Sequence, residues 1–376
     1  MKRKGLVGFA LSLVMAALIP LSPGSLHAAE AKKDPANIVI VSMGGTITST
    51  AMGRHLFQSY APNGVTISDV LERLQPEISA YANVVKVEQV APNSTRNEYL
   101  YNMSKKITEA LADENVDGVV VNAGTNTLEE VAYFADLTVQ SIKPVVVTGS
   151  MRQTNTFSFD GEANLFNALR LAASGETTCY GTVVMLNDEF FAAREVTKSD
   201  ALRLDTFDGG RYGALGTVDE DRIRSVRAPA RVMACGTDAW YTPFDLKKVE
   251  LSDLAKVEIM YSYTEADGLP ITALTEAGVD GIVTAGTGAG SISASQQEAR
   301  KAAIEKGVLF VSATRAGSGA VYDTGAPGII GAADLLPQKA RILLQLGLTF
   351  SDDPEQVRAW FKSIGVPEFN MSKYRQ

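Results

Sequence analysis

Two short segments carry the residues best suited to chemistry. The first is Met43-Gly44-Gly45-Thr46-Ile47-Thr48, which follows the apolar run Ile38–Val41. The second runs from Asn122 through Gly124, Thr125 and Asn126 to Thr127 and Glu130, and follows the apolar run Val116–Val121. In each, glycine bares the backbone at the end of an apolar run and hydroxyls come next. Such a turn can cradle a phosphate, bring a nucleophile up to a small substrate, or be a turn and nothing more. The phosphate reading is the poorest. Neither the Gly-x-x-x-x-Gly-Lys-Ser/Thr loop nor the Gly-x-Gly-x-x-Gly fingerprint is present. Thr127 and Glu130 have the spacing of a capping box, which would put Thr125 and Asn126 at a helix N-terminus. Backbone N–H groups and the helix dipole there favour a carboxylate or a developing oxyanion.

A threonine hydroxyl is a weak nucleophile until a neighbour takes its proton. Composition narrows the choice of that neighbour. The chain has two histidines, His27 and His55. His27 belongs to a leader, so a Ser-His-Asp triad could use only His55, in a polar, loop-like stretch. One remaining histidine also argues against a histidine-rich zinc site. Proton transfer then falls to lysine, a carboxylate or a hydroxyl relay.

These loops need a scaffold to hold them. Apolar runs of strand length alternate with helical patterns. Strands are expected at 38–41, 84–90, 116–121, 145–148 and 182–186, and helices at 68–74, 101–112, 128–137 and 163–173. Alternation of this kind predicts an α/β fold with a mostly parallel sheet covered on both faces. In open sheets of that class, ligands bind beyond the carboxyl ends of the strands, where both glycine turns fall. The segment 116–125 is echoed at 279–287, and each copy is followed by a helix and another strand. This predicts two domains, a larger N-terminal doubly wound one and a smaller C-terminal α/β one. We place them at residues 30–232 and 256–376. The intervening residues 233–255 lack clear periodicity and form the linker. Helices are expected at 337–348 and again after Asp353-Pro354, a cap followed by proline at the first helical position.

With 376 residues, 45% hydrophobic and 21% charged, the chain can build two real cores. Its N-terminus reads as a signal peptide over residues 1–29. It has a basic start (Lys2, Arg3, Lys4), an apolar stretch from Leu6 to Leu21, and small residues for cleavage near Ala28 or Ala29. An uncleaved anchor is the second reading, although the apolar stretch is short for a span. The protein is therefore expected in the periplasm or secreted, with no membrane segment after cleavage. Losing the leader moves the formal charge from −8 to −11. An acidic chain without a basic run is a poor partner for nucleic acid, which leaves small molecules. Cys179 and Cys235 are the two cysteines. Export permits their pairing, and two buried thiols are the alternative.

Taken together, these motifs resemble the bacterial type II L-asparaginase and glutaminase-asparaginase family over nearly the whole mature chain. Gly44-Gly45-Thr46-Ile47 matches the first family signature, and Gly124–Glu130 continuing to Phe134 resembles the second. Lys143–Arg152, Asp160-Gly161, Asn164-Leu165, Val196-Thr197-Lys198, Tyr212–Gly216, Thr242-Pro243-Phe244 and Pro337–Leu344 follow in the expected order. The resemblance implies hydrolysis of the side-chain amide of asparagine or glutamine, with release of ammonia and no metal or cofactor. It implies Thr46 as nucleophile, Tyr60 as the mobile-lid tyrosine beside it, and Thr125 with Lys198 as a hydroxyl-lysine pair that moves protons. Gly45, Gly124, Asn126, Ala91 and Pro92 fall at substrate-binding positions. A homotetramer with sites between subunits is also implied.

The departures from the family fall at the substrate site. Asn126 stands where the family has an aspartate that holds the substrate's α-ammonium. Ala91-Pro92 replace a Ser-Gln pair, and Ala289 replaces an asparagine in Gly288-Ala289-Gly290. For an acidic residue expected near 320–324, Asp323 is the candidate. A charge-assisted hydrogen bond is worth about 1.5–3 kcal/mol, so these losses weaken recognition of a free amino acid. Three readings follow. One is an amidohydrolase of asparagine or glutamine. One is an amidohydrolase with altered preference, for a substrate lacking a free α-amino group. The last is a non-catalytic binding or structural protein. Lys198, without a carboxylate beside it, is expected either to titrate low and act as a base or to be a buried cation paired elsewhere.

Overall fold

The computed structural model describes residues 34–92 and 95–369. The leader expected over 1–29 lies outside them. The described residues from Pro35 onward form one compact unit that contains two main sheets.

The first sheet grows from hydrophobic runs that are apolar on both sides. Its early elements are β1 (Ala36–Ser42), α1 (Ile67–Glu72), β2 (Ala82–Gln89), α2 (Asn97–Leu111), β3 (Gly118–Asn122), α3 (Leu128–Thr138), β4 (Val145–Thr148), α4 (Gly161–Ser174) and β5 (Thr182–Leu186). Side chains alternate across a strand, so a continuous Val/Ile run feeds both faces. Ile38, Ile40, Val120 and Val146 pack with Ile67, Val70, Leu165 and Leu169 of α1 and α4. Val39, Val41, Val119 and Val121 pack on the opposite face with Leu100, Ile107, Val131 and Phe134 of α2 and α3. Each such side chain, fully buried, contributes roughly 1.5–3 kcal/mol of transfer free energy.

The sheet continues through β6 (Glu189–Ala192). A two-stranded ribbon of β7 (Thr197–Lys198) and β8 (Phe207–Asp208) follows, and β9 (Gly216–Val218) and β10 (Ile223–Ser225) complete the sheet. The strand order is β10-β9-β6-β5-β4-β3-β1-β2, with β2, β1, β3, β4 and β5 parallel. The chain leaves β1 for β2 on one side and returns as β3 on the other. The crevice at the carboxyl ends of β1 and β3 is therefore a topological switch point.

Residues 229–253 form short 3-10 turns and no strand. The second sheet follows with β11 (Val257–Tyr261), α5 (Leu269–Glu276), β12 (Gly281–Gly286), α6 (Ala294–Glu305), β13 (Leu309–Thr314) and β14 (Ile329–Gly331), all strands parallel and in chain order. The chain closes with α7 (Pro337–Phe350) and α8 (Pro354–Ser363). The echoed segments do become equivalent strands, β3 and β12. Asp353 caps α8 by accepting from the Glu355 N–H, with Pro354 in the first turn. Helix α7 packs on the second sheet and also on α3, so one apolar cluster runs from β1 and β3 through α3 and α7 to β12 and β13.

Two local expectations change. Thr127 is the N-cap of α3, but its side chain makes no capping hydrogen bond. Burial pushes the Glu130 carboxyl above the usual range, partly offset by the charge of Arg341 on α7. The cysteine question is also decided: Cys179 and Cys235 form a disulfide, with Cα atoms 5.6 Å apart.

Candidate active site

The parallel register places the two glycine turns side by side. Ser42 is paired with Asn122 at the ends of β1 and β3, and the Met43 N–H donates to the Asn122 carbonyl at 2.9 Å. The Asn122 amide then donates to the Gly44 carbonyl at 3.0 Å. Gly44 and Gly45 adopt positive φ of 62° and 96°. At Gly45 the requirement is also steric: a Cβ there would lie 2.5 Å from the Gly124 Cα. At Gly44 a Cβ would collide with the Pro92 carbonyl. Glycine is the residue that tolerates both demands. The backbones of the first turn, the second turn and the Ala91-Pro92 bend after β2 are therefore in contact, with Ala91 buried and Pro92 exposed.

Thr46 begins a 3-10 turn, Thr46–Thr48, and is 8% exposed. Its hydroxyl lies 2.9 Å from the Tyr60 hydroxyl. Tyr60 ends an excursion that returns to the turn through an antiparallel bridge between Ala51 and Tyr60, and it is 52% exposed. Thr48 donates to the Gly45 carbonyl and Thr50 to the Asn63 carbonyl, so both serve the turn.

A second hydroxyl pair stands on the neighbouring loop. Lys198 Nζ donates to Thr125 Oγ1 at 3.0 Å and to Asn126 Oδ1 at 3.4 Å. Partial burial pushes the Lys198 ammonium below the ordinary lysine value, while the nearby Asp200 carboxylate pulls it back up. Burial, and not the lack of a carboxylate, is the cause of that lowering. Among the described residues its ammonium forms no ion pair within 4 Å.

Other predicted positions fall elsewhere. Ala289 lies in the turn after β12, on the second sheet. Asp323 is engaged within its own chain, paired with Arg358 of α8 and with Lys362 at 3.3 Å. It is thus held by α8 within its own chain. A cavity of about 830 Å³ lies away from the hydroxyl pairs, beside α3, β6 and the 228–242 segment. Arg194, Arg227 and Arg231 on its wall are each paired with a carboxylate.

Sequence reasoning missed Glu129. It is 7% exposed and accepts from Thr197 Oγ1 at 3.0 Å, the Lys198 N–H at 3.3 Å and Gln338 Nε2 at 3.1 Å. The available signal was its place one helical turn after Thr125.

The asparaginase N-terminal family profile matches residues 37–231, and the glutaminase/asparaginase C-terminal domain profile matches 256–361. L-asparaginase 2 of Bacillus subtilis (strain 168) is 38% identical over 342 residues, covering 90% of this chain and 89% of that protein. The chain belongs to the asparaginase family. A Haemophilus influenzae relative named as a probable periplasmic L-asparaginase is 34% identical, covering 88% of this chain and 94% of its own. The crystal structure of a probable cytoplasmic L-asparaginase from Campylobacter jejuni superposes with a TM-score of 0.79 at 35% identity, covering 87% of this chain and 99% of that one. The two-sheet α/β architecture is thus that of the asparaginase family.

Proposed function

We propose that the protein is an L-asparaginase-type amidohydrolase that converts the side-chain amide of L-asparagine or L-glutamine to the acid and ammonia, with Thr46 as nucleophile. The carrying observation is the pairing of two hydroxyls on adjacent loops, each with a second proton-handling group: Thr46 with Tyr60, and Thr125 with Lys198. Thr46 Oγ1 attacks the amide carbon, its C–O bond forms, and the carbonyl electrons move onto oxygen. The Thr46 proton passes to Tyr60 Oη while the phenol gives its own proton on toward the amide nitrogen, so Tyr60 relays the proton and stays neutral. The tetrahedral intermediate collapses, the C–N bond breaks, and the protonated nitrogen leaves as ammonia. Water then adds to the acyl-threonine carbonyl and gives its proton through Thr125 to neutral Lys198; on collapse the bond from the acyl carbon to Thr46 Oγ1 breaks and that oxygen takes a proton back, restoring the hydroxyl. This paired arrangement supports catalysis over a role in binding alone, because binding does not require two hydroxyls on adjacent loops, each beside a second proton-handling group.

Gly45, Gly124, Asn126, Ala91 and Pro92 form the substrate side of this reading. Asn126 offers an amide where a carboxylate would hold an ammonium, so preference shifts toward substrates that rely less on a charged α-nitrogen. The disulfide and the basic-apolar leader support export to the periplasm or beyond. Family likeness supports a homotetramer. The two profile matches support a division into 30–232 and 256–376 across a 233–255 linker.

Ammonia release from asparagine and glutamine by the wild type, Thr46→Ala and Asn126→Asp tests the reading. Thr46→Ala is expected to lose on the order of 10⁴-fold or more in kcat. A folded Thr46→Ala protein with wild-type turnover would remove Thr46 from the role.

A further inference from the structure

Lys198 has little to hold it in place by its own strand. The ribbon that carries it, β7, is two residues long and pairs only with the two-residue β8. A lysine has four rotatable bonds and about 2 kcal/mol of rotamer entropy, so its ammonium stays on Thr125 only if its backbone is fixed. Two helices supply that fixing. From α3, the buried Glu129 carboxylate accepts from Thr197 Oγ1 and the Lys198 N–H. From α7, Gln338 Nε2 donates to the other Glu129 oxygen at 3.1 Å. The next residue, Lys339, is 1% exposed, and its ammonium donates to the carbonyls of Ala193, at 2.6 Å, and Val196. The segment 193–198 is therefore gripped at both ends, at the Ala193 and Val196 carbonyls by a cation and at the Thr197 hydroxyl and Lys198 N–H by an anion.

We infer that Glu129, supported by Gln338 and Lys339 of α7, is the positioning residue for Lys198, so that a helix packed on the second sheet completes a proton-transfer pair mounted on the first. This rests on the reading of Lys198 as the proton-handling lysine. The charges within the network are Glu129 and Lys339, and Asp200 is the nearby carboxylate on the ribbon's own side. Asp200 accepts from the N–H groups of Leu202 and Arg203. It shapes the 200–203 turn and not the grip on 193–198. Thr125 and Glu129 lie one turn apart around the start of α3, so the same helix start sets the hydroxyl and the anchor of its partner. A shift of α7 relative to α3 would move Lys198 away from Thr125 without touching either residue.

The test compares wild type, Glu129→Ala, Glu129→Gln and Gln338→Leu by two readouts. The first is ammonia release across pH. The second is competitive acetylation of Lys198 by trace acetic anhydride across pH, followed by mass spectrometry, which needs no turnover. Glu129→Ala frees the ribbon, and kcat is expected to fall roughly 10- to 100-fold with KM changed less than about threefold. Lys198 regains solvent, so its labelling midpoint is expected to rise by about one unit, and the acidic limb of the rate profile with it. Glu129→Gln can still accept from Thr197 and Lys198 and is expected to restore both. Gln338→Leu leaves Glu129 in place and is expected to show the same changes in smaller measure, which keeps the test open if Glu129→Ala does not fold. A simple loss of stability would scale activity at every pH and leave the labelling midpoint where it was. An unmoved midpoint and unmoved kcat in folded Glu129→Ala, or in Gln338→Leu if that variant alone folds, overturns the inference while leaving ammonia release intact. Absence of ammonia release in the wild type with a shifted midpoint would instead overturn the catalytic reading and leave the positioning role standing.

Discussion

Asn126→Asp is the perturbation with the most to teach. It places a carboxylate where an amide oxygen now sits 3.4 Å from Lys198 Nζ. At that separation the Coulomb energy of a unit pair is about 1.2 kcal/mol in bulk water and about 5 kcal/mol at an effective dielectric of 20. Lys198 is only half-buried, and the wild-type amide dipole already supplies part of the attraction, so the net gain is about 1.5–3 kcal/mol. That corresponds to a rise of roughly 1–2 units in the Lys198 pKa. The sign follows directly. As a base, Lys198 must be neutral, so activity falls as pH drops through its pKa, and raising that pKa moves the acidic limb upward. The assay is kcat/KM for ammonia release against pH, which reports free-enzyme groups. Wild type is expected to keep its activity to lower pH than Asn126→Asp, while the mutant binds free asparagine more tightly. A limb that stays put, or moves to lower pH, would refute the electrostatic account of Lys198.

Three further outcomes follow from the geometry. Tyr60→Phe removes the 2.9 Å contact with Thr46 and the group that takes its proton, and is expected to lower kcat by roughly 10²- to 10⁴-fold. Its melting temperature should stay close to wild type because Tyr60 is half-exposed. Gly45→Ala must find room beside the Gly124 backbone at a φ of 96°, and is expected to cost about 2–4 kcal/mol in denaturant unfolding, with activity lost in parallel. Reducing the Cys179–Cys235 disulfide, which closes a loop with a sequence separation of 56, is expected to cost up to about 4 kcal/mol by the chain-entropy relation, read as a lowered unfolding midpoint in the presence of reductant.

Much of this molecule is legible along the chain because its signals are local. The runs at 38–41, 145–148 and 182–186 are apolar on both faces, and that pattern has few solutions besides a covered parallel strand. The glycines before Thr46 announce a backbone that must bend or approach another, and the histidine count alone moves the chemistry to hydroxyls and lysine. Order along the chain also fixed which loops end strands, and so put Thr46 and Thr125 at the carboxyl edge of a sheet. Tertiary structure decided everything that depends on separation across many residues. It set Ser42 opposite Asn122, tied Asp323 to Arg358, and joined Cys179 to Cys235. It also gave Glu129 its role, since the hydrogen bonds of a buried carboxylate depend on which backbone the fold brings to it, and here that backbone lies almost seventy residues along the chain.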